Sequence, residues 1–405
     1  MIVQRLLRLR NASALANNPA SSSSKIPNFS LRTTAGRFNT TRRVAKTALR
    51  LLSSAARPPD VKKEGNFRND VLTEDMDLKN ALPTVVIAGA AGQLGRKILG
   101  RLLTTNAADY LDVPLTSRPV DAAYDTQGVS PTKFRLVLLD LQPQPKDLDL
   151  NDTNGHEVEY MHCDFTKLED SWSKKFEKAY VAFLLATKMR FPKTTPEEAH
   201  TSMLITSNLL EACSKGKVER VVMGSSTDVV RGRADDKTVD AITSDATPKI
   251  GEKVEVLGEE IDSTVYAAAK VAGEAQAKAM VESGSLDRVI ILRIGAAQPL
   301  EDLLPKRHKE GQQTVMTEGE ANGEQMTGEA FLENWFRDVH LKDDDLYRVV
   351  DACVSPGVDS AQSKVIYVNA VSKNIGSKVK PENNEIGYVP PSPEAEQRLS
   401  MRGRL

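Results

Sequence analysis

Cysteine is scarce: Cys163, Cys213 and Cys353 are the only three in 405 residues. Their odd count and lack of CxxC spacing exclude a disulfide framework and suit a reducing interior. The five histidines are equally sparse. His156 and His162 are the nearest pair, and no metal-ligand set accompanies them. No stretch approaches the 18 consecutive apolar residues that a membrane-spanning helix needs. The most informative absence is at the start, since the first 59 residues contain no Asp or Glu.

Those 59 residues hold nine Arg, two Lys and eight Ser, including the run Ser21 to Ser24. Such a composition reads as an organelle transit peptide. The opening MIVQRLLRLR can form a helix with Ile2, Leu6 and Leu9 on one side and Arg5 and Arg8 on another, which favours the mitochondrial matrix over a plastid. A basic tail that binds nucleic acid or anionic lipid is the alternative, and the complete lack of acids argues against it. Setting aside these eleven positive charges, the formal net charge of -1 becomes -12 for residues 60–405. An acidic body is a poor partner for nucleic acid, whose binding depends on a basic face.

After a polar link over 60–80, TVVIAGAAGQLGRKILGRLL reads as a buried strand, a glycine turn and a helix whose apolar side carries Ile98, Leu99, Leu102 and Leu103. Further apolar runs follow at 134–141, 158–165, 179–187, 218–225 and 288–295, with helical patterns between them, clearest at 196–216 and 265–280. Strand alternating with helix predicts an α/β Rossmann fold, a doubly wound parallel sheet over 81–299. Residues 300–330 are polar and too long for an ordinary connection, hence a lid or an unstructured insertion. The helix DDDLYRVVDACV, the strand KVIYVNAV (364–371) and a Pro-rich close complete a small C-terminal substrate-binding lobe over 300–405.

In GAAGQLG, Gly89, Gly92 and Gly95 follow a strand and open a helix. Gly89 permits the tight turn, Gly92 lets backbone approach a pyrophosphate, and Gly95 allows the helix to sit close to the sheet. With Gln93 and Leu94 they offer the helix N-terminus to the anion. Asp140, ending the second strand, is the candidate for the adenosine ribose hydroxyls and favours NAD. It lies 45 positions beyond Gly95, where about 20 is usual, so an insertion from about 104 to 133 is expected. In the rival reading LDVPLTSR is the second strand and Arg118 meets the 2′-phosphate of NADP. Asp164, after the third strand, lies near the adenine or caps the strand end. Ala186, at the end of the fourth strand, completes the cofactor set.

In VYAAAKVAGEAQAKAM, Tyr266 and Lys270 are four apart and share one helix face. A free tyrosine has a pKa of about 10. An ammonium at about 4 Å, with an effective dielectric near 20, favours the phenolate by up to roughly 4 kcal/mol. That would bring the phenol into the range of an acid/base catalyst, and the same lysine can bond the nicotinamide ribose. Some 40 residues earlier GSSTDVVRG ends the fifth strand, where Ser226 or Thr227 can donate a hydroxyl to a substrate oxygen.

The ordered set of glycine turn, SST, YxxxK and LRIG resembles the extended short-chain dehydrogenase/reductase family of NAD-dependent epimerases and dehydratases, over most of 84–300 and more thinly over 335–395. The resemblance implies a Rossmann fold with Thr227 or Ser226, Tyr266 and Lys270 as catalytic residues, and dimerisation through helices. STDVVRG is similar to a dehydratase stretch in which Asp228 would be an acid, but Val229 and Arg231 replace that pattern's glutamate and tyrosine. GAAGQLGR, LRIG and IGYVPPSPEAE are similar to uronate dehydrogenases, for which Ser226 would be the catalytic hydroxyl. There Ala296 replaces a serine, Ser202 replaces an asparagine, and Arg307 or Arg337 would have to clamp the substrate. The resemblance implies an NAD(P)-dependent oxidoreductase acting on a hydroxyl of a sugar, sugar acid or related small molecule. The alternatives are a nucleotide-sugar epimerase or dehydratase, or a non-catalytic nucleotide-binding subunit of an organellar assembly.

Overall fold

A computed structural model describes residues 82–104, 133–298 and 328–392, apart from isolated positions within those stretches. Residues 1–59, read above as a transit peptide, the 60–80 stretch, Arg118 with LDVPLTSR, Arg307, and most of the expected insertion after residue 104 and of the 300–330 segment lie outside the described residues.

Seven strands form one sheet in the order β3-β2-β1-β4-β5-β8-β9, and every neighbouring pair is parallel. They are β1 (Thr84–Ala88), β2 (Arg135–Asp140), β3 (Glu157–His162), β4 (Val181–Leu184), β5 (Arg220–Ser226), β8 (Val289–Ile294) and β9 (Val365–Ala370). A short antiparallel hairpin, β6 (Val254–Val256) with β7 (Glu259–Ile261), stands apart. The chain has the expected Rossmann architecture, and its order reverses between β1 and β4, which is where ligands enter such sheets.

The strands are apolar almost without break because both faces are covered. On one face Val85 and Ile87 meet Ile98, Leu99 and Leu102 of α1 (Gln93–Thr104) and Leu346, Val349 and Val350 of α6 (Asp343–Val354). On the other, Val86 and Ala88 meet Ile205 and Leu209 of α3 (Pro196–Gly216) and Ala277 and Val281 of α4 (Thr264–Glu282). The short helix α2 (Asp170–Ser173) places Trp172 in the same layer. The start of α3 is fixed by a capping box: Thr195 Oγ1 accepts from the Glu198 N–H, and the Glu198 side chain accepts from the Thr195 N–H.

Within the C-terminal part, the strand over 364–371 is not confined to a lobe of its own. β9 pairs with β8 from Val289↔Val365 to Ile294↔Ala370 and becomes the seventh strand of the main sheet, while α6 joins the core beside α1. The physical reason is the edge of β8, which would otherwise present an unpaired row of backbone groups. What covers the carboxyl end of the sheet is a composite cap. Val229, Val230 and Ile242 cluster there with Trp335 of α5 (Gly328–Asp338), Val339, Val371 and Val379. Ile242 is stitched to the C-terminal segment through Ile242 N–H to Lys378 O (2.8 Å) and Lys380 N–H to Ile242 O (3.0 Å).

Candidate active site

Gly89 has φ +93°, and a Cβ there would lie 2.7 Å from the Ala186 amide nitrogen. The ends of β1 and β4 therefore approach as closely as backbone allows, with Gly89 and Ala186 facing each other at the topological switch. Gly95 is tighter still, since a Cβ on it would stand 2.3 Å from the Gly89 carbonyl oxygen. This seats the first turn of α1 directly on the loop. Gly92 closes the turn through its N–H to Gly89 O (3.2 Å). The leading N–H groups of α1, from Gln93, Leu94 and Gly95, have no intrahelical partner and form an anion cradle.

Asp140 is buried and anchored to that cradle. Its Oδ2 accepts from the Ala91 N–H at 2.9 Å and its Oδ1 from the Gln142 N–H at 2.8 Å. A carboxylate held at the end of β2 suits a ribose diol and repels a 2′-phosphate. Asp164 behaves as a local cap: Oδ1 accepts from the Thr166 N–H and Oγ1, and these bonds hold its carboxyl below the usual range. The glycine cradle and the anchored acid fit a dinucleotide.

A small cavity is lined by Ala186, Met223, Gly224 and Lys270, together with Ser202 and Thr206 of α3. Ser202, which stands where the resemblance implies an asparagine, accepts from the Lys188 N–H (3.0 Å) and from Thr187 Oγ1 (3.2 Å), so it pins the loop after β4.

Ser226 ends β5, and Tyr266 lies in the first turn of α4. The Ser226 hydroxyl accepts from the Asp228 N–H (3.2 Å) and lies beside the Tyr266 phenol. Thr227 is buried in the 3-10 turn Thr227–Val229. Of the two hydroxyls left open by the sequence, Ser226 is the one that meets the phenol. Phe191 stands edge-on to Tyr266 (centroids 5.7 Å, 77°) and to Phe336 of α5 (6.5 Å, 74°), so an aromatic wall backs the phenol.

Lys270 alone does not bring the tyrosine into the neutral range. Burial pushes the Tyr266 phenol up to about 12, the Asp228 charge adds to this, and the neighbouring Ser226 hydroxyl offsets only part of it. Lys270 Nζ sits 5.9 Å from the Tyr266 ring centroid and donates to Gly224 O at 2.8 Å. Burial brings its own pKa down to about 8. In this arrangement Tyr266 holds its proton and is poised as a donor.

Asp228, considered from sequence as a dehydratase acid, is buried as a structural tie. Trp335 Nε1 donates to its Oδ1 (3.3 Å), and Arg231 Nε lies 3.8 Å away. Arg231 in turn donates to Glu252 O (2.7 Å) and Ser263 Oγ (3.2 Å). Arg337 is exposed on the last turn of α5. Ala296 is taken up in backbone pairing with Val339 and Leu341.

Several contributors escaped the sequence reading. Phe191 and Trp335 come from segments far away in the chain and carry no local signal. Glu274 and Arg293 did carry one. Glu274 repeats the spacing of four that joins Tyr266 to Lys270, and Arg293 is a charge inside the apolar run VIILRIG, where burial requires a partner.

A family model for the NAD dependent epimerase/dehydratase family matches residues 85–296. No curated protein matches. Similar solved structures include a uronate dehydrogenase from Agrobacterium tumefaciens (16% identity over 79% of this chain and 89% of that one, TM-score 0.46). A glucuronic acid dehydrogenase from Chromohalobacter salexigens (16%, 80% and 90%, TM-score 0.45) and a UDP-galactose 4-epimerase (15%, 72% and 78%, TM-score 0.43) are also similar. Likenesses this distant carry nothing about substrate or reaction. The glycine cradle, the anchored Asp140 and a family model covering more than half the chain lead to one statement: this protein belongs to the NAD dependent epimerase/dehydratase family, and NAD is its cofactor.

Proposed function

We propose that the protein is an NAD-dependent oxidoreductase that transfers hydride from a hydroxyl-bearing carbon of a sugar, sugar acid or related small molecule. One observation carries this reading: Tyr266 and Lys270 project from one face of α4 to the carboxyl end of β5, where Lys270 Nζ donates to Gly224 O and the Ser226 hydroxyl lies beside the phenol.

When bound, NAD supplies the hydride acceptor and, in its oxidised form, a positive charge on the nicotinamide. The chain supplies the rest. Ser226 and Tyr266 hold the substrate oxygen between two hydroxyls, which fixes the carbon that loses hydride. Tyr266 exchanges a proton with that oxygen: it donates when a carbonyl is reduced and accepts when a hydroxyl is oxidised. With the phenol near 12, acceptance at neutral pH requires positive charge close by, which Lys270 and the oxidised cofactor provide. Phe191, Phe336 and the cap exclude water from the phenol.

The buried ties of Asp228 to Trp335 and Arg231 favour hydride transfer over a dehydratase in which that carboxyl must reach substrate. A purely structural nucleotide-binding role leaves the Ser226–Tyr266–Lys270 grouping without a purpose. The test is to incubate purified residues 60–405 with NAD and panels of hexuronates, free sugars and nucleotide sugars while following reduced nicotinamide by its absorbance. Net NADH formation with at least one panel member is expected. NAD-dependent conversion without net NADH would make the protein an epimerase, and inactivity on every panel despite cofactor binding would remove the oxidoreductase reading.

A further inference from the structure

Three successive turns of α4 face three adjacent residues of β5, and two of them are fastened there. Tyr266 lies beside Ser226, Lys270 Nζ donates to Gly224 O (2.8 Å), and Ser225 Oγ donates to Glu274 Oε1 (2.6 Å). The first two belong to the proposed chemistry and the third has no role in it. Glu274 is 2% exposed and Arg293 of β8 is 1% exposed, so this is a fully buried ion pair. It is bidentate, with Arg293 Nε to Glu274 Oε1 at 3.1 Å and Nη2 to Oε2 at 2.9 Å. Ser225 and Arg293 are register partners on adjacent parallel strands, so the Glu274 carboxylate falls across both strands at the level of the site. Arg293 is held from its other sides by Ser244 O (3.2 Å) and Ala246 O (2.7 Å), and it lies over the Tyr367 ring at 4.8 Å.

Burying two charges is costly, and an ion pair in the interior is often no more stabilising than the apolar residues that could replace it. The pair therefore calls for a purpose beyond holding the core together. We propose that Glu274, fixed by Arg293 and Ser225, is a positioning residue for the Tyr266–Lys270 pair: it sets the seating of α4 on β5 and sustains the positive charge of Lys270.

The groups facing Lys270 are few. On α4 they are Tyr266 and Glu274. β5 presents the Gly224 carbonyl and Ser226, with Asp228 beyond acting on Tyr266. α3 contributes the uncharged Ser202 and Thr206, and the loop after β4 contributes Thr187 and Met189. Arg293 stands on the far side of the Glu274 carboxylate. Burial lowers the Lys270 pKa, and the negative charge of Glu274 opposes that fall. Removing the carboxylate therefore lowers the lysine further, because the ammonium loses its nearest counter-charge and Arg293 is left uncompensated. A Lys270 that is neutral near pH 7 no longer favours the phenolate or offers an ammonium to the ribose.

This inference rests on the proposed role of Lys270, but its test needs neither substrate nor cofactor. In protein with isotopically labelled lysine side chains, the Lys270 signal is assigned by its loss in Lys270→Arg and titrated by NMR. Glu274→Gln is expected to move the Lys270 midpoint down by at least about half a pH unit, roughly threefold in the protonation constant. Glu274→Asp keeps the charge, so its midpoint is expected to stay near that of the wild type even if its unfolding temperature falls. Should Glu274→Gln fail to fold, Glu274→Gln/Arg293→Met, which removes both charges, is read in its place and moves the midpoint in the same direction by less. An unmoved midpoint in whichever variant folds, or equal shifts in the Asp and Gln variants, overturns the proposal and leaves Glu274 a packing residue. NADH binding by the wild type, followed by fluorescence, separates the two claims: its failure removes the oxidoreductase reading and leaves the Lys270 titration intact.

Discussion

Replacing Tyr266 by phenylalanine is expected to reduce hydride transfer by about a hundredfold or more, with NADH affinity within about twofold of the wild type. The ring stays, and with it the edge contact to Phe191 at 5.7 Å. The hydroxyl goes, and with it the group beside Ser226 that is proposed to exchange a proton with substrate. The glycine cradle, Asp140 and Lys270 are untouched, which is why binding and turnover separate. Parallel measurement of kcat and of NADH fluorescence titration checks this. A rate within tenfold of the wild type would mean that the proton moves through another group.

Gly95→Ala is expected to have an effect of similar size, but on cofactor binding and folding together. The added methyl meets only backbone: Gly89 O at 2.3 Å, Ala90 Cα at 2.7 Å and Ala90 O at 2.8 Å. No side chain can swing aside, so α1 must lift from the loop, while Ile98, Leu99 and Leu102 hold it in the core. Overpacking of this kind costs about 1–3 kcal/mol, which in a protein of this size is a fall in Tm of several degrees. Lifting α1 also withdraws its N–H groups from the pyrophosphate, so NADH affinity is expected to fall at least about tenfold. Gly100→Ala on the same helix is the control. Nothing lies within 4 Å of a Cβ there, and replacing a helical glycine by alanine is worth up to about 1 kcal/mol. The unfolding temperatures of the two variants should move in opposite directions, and NADH affinity should fall in Gly95→Ala alone. Equal behaviour would mean that the close approach at Gly95 has no role in holding the cofactor.

The Rossmann sheet was legible in the sequence because strands buried on both faces must be apolar at successive positions, as in VVIA of β1 and VIIL of β8. The start of α3 was legible through the order Thr-Pro-Glu-Glu, whose cap is local. The place of β9 was not. Its sequence, VIYVNA, states only that it is a buried strand; which edge it joins depends on β8 lacking a second partner, a fact about the whole sheet. The composite cap was hidden for the same reason, since Ile242, Trp335 and Val379 become neighbours only through tertiary folding.

At the site, residue identity was easier to read than electrostatics. The spacing of Tyr266 and Lys270 correctly put them on one face of α4. Their effect on each other was not legible because Lys270 turns its ammonium to the Gly224 carbonyl and both groups are half-buried. Desolvation then outweighs a Coulomb attraction reckoned from helix spacing alone. Ser226 could not be chosen over Thr227 from sequence, since the choice depends on β5 ending at Ser226 and the chain tightening into a 3-10 turn at Thr227.

The central claim is that NAD lies across the Gly89–Gly95 turn with its nicotinamide end beside Tyr266 and Lys270. A crystal structure of the wild-type protein with NAD tests it most directly. Expected are the pyrophosphate on the α1 N-terminus, the adenosine ribose on Asp140, and the nicotinamide ribose within about 3 Å of Lys270 Nζ. A dinucleotide bound with its nicotinamide turned away from Tyr266, or a position beside Lys270 filled by the chain's own atoms, would contradict it.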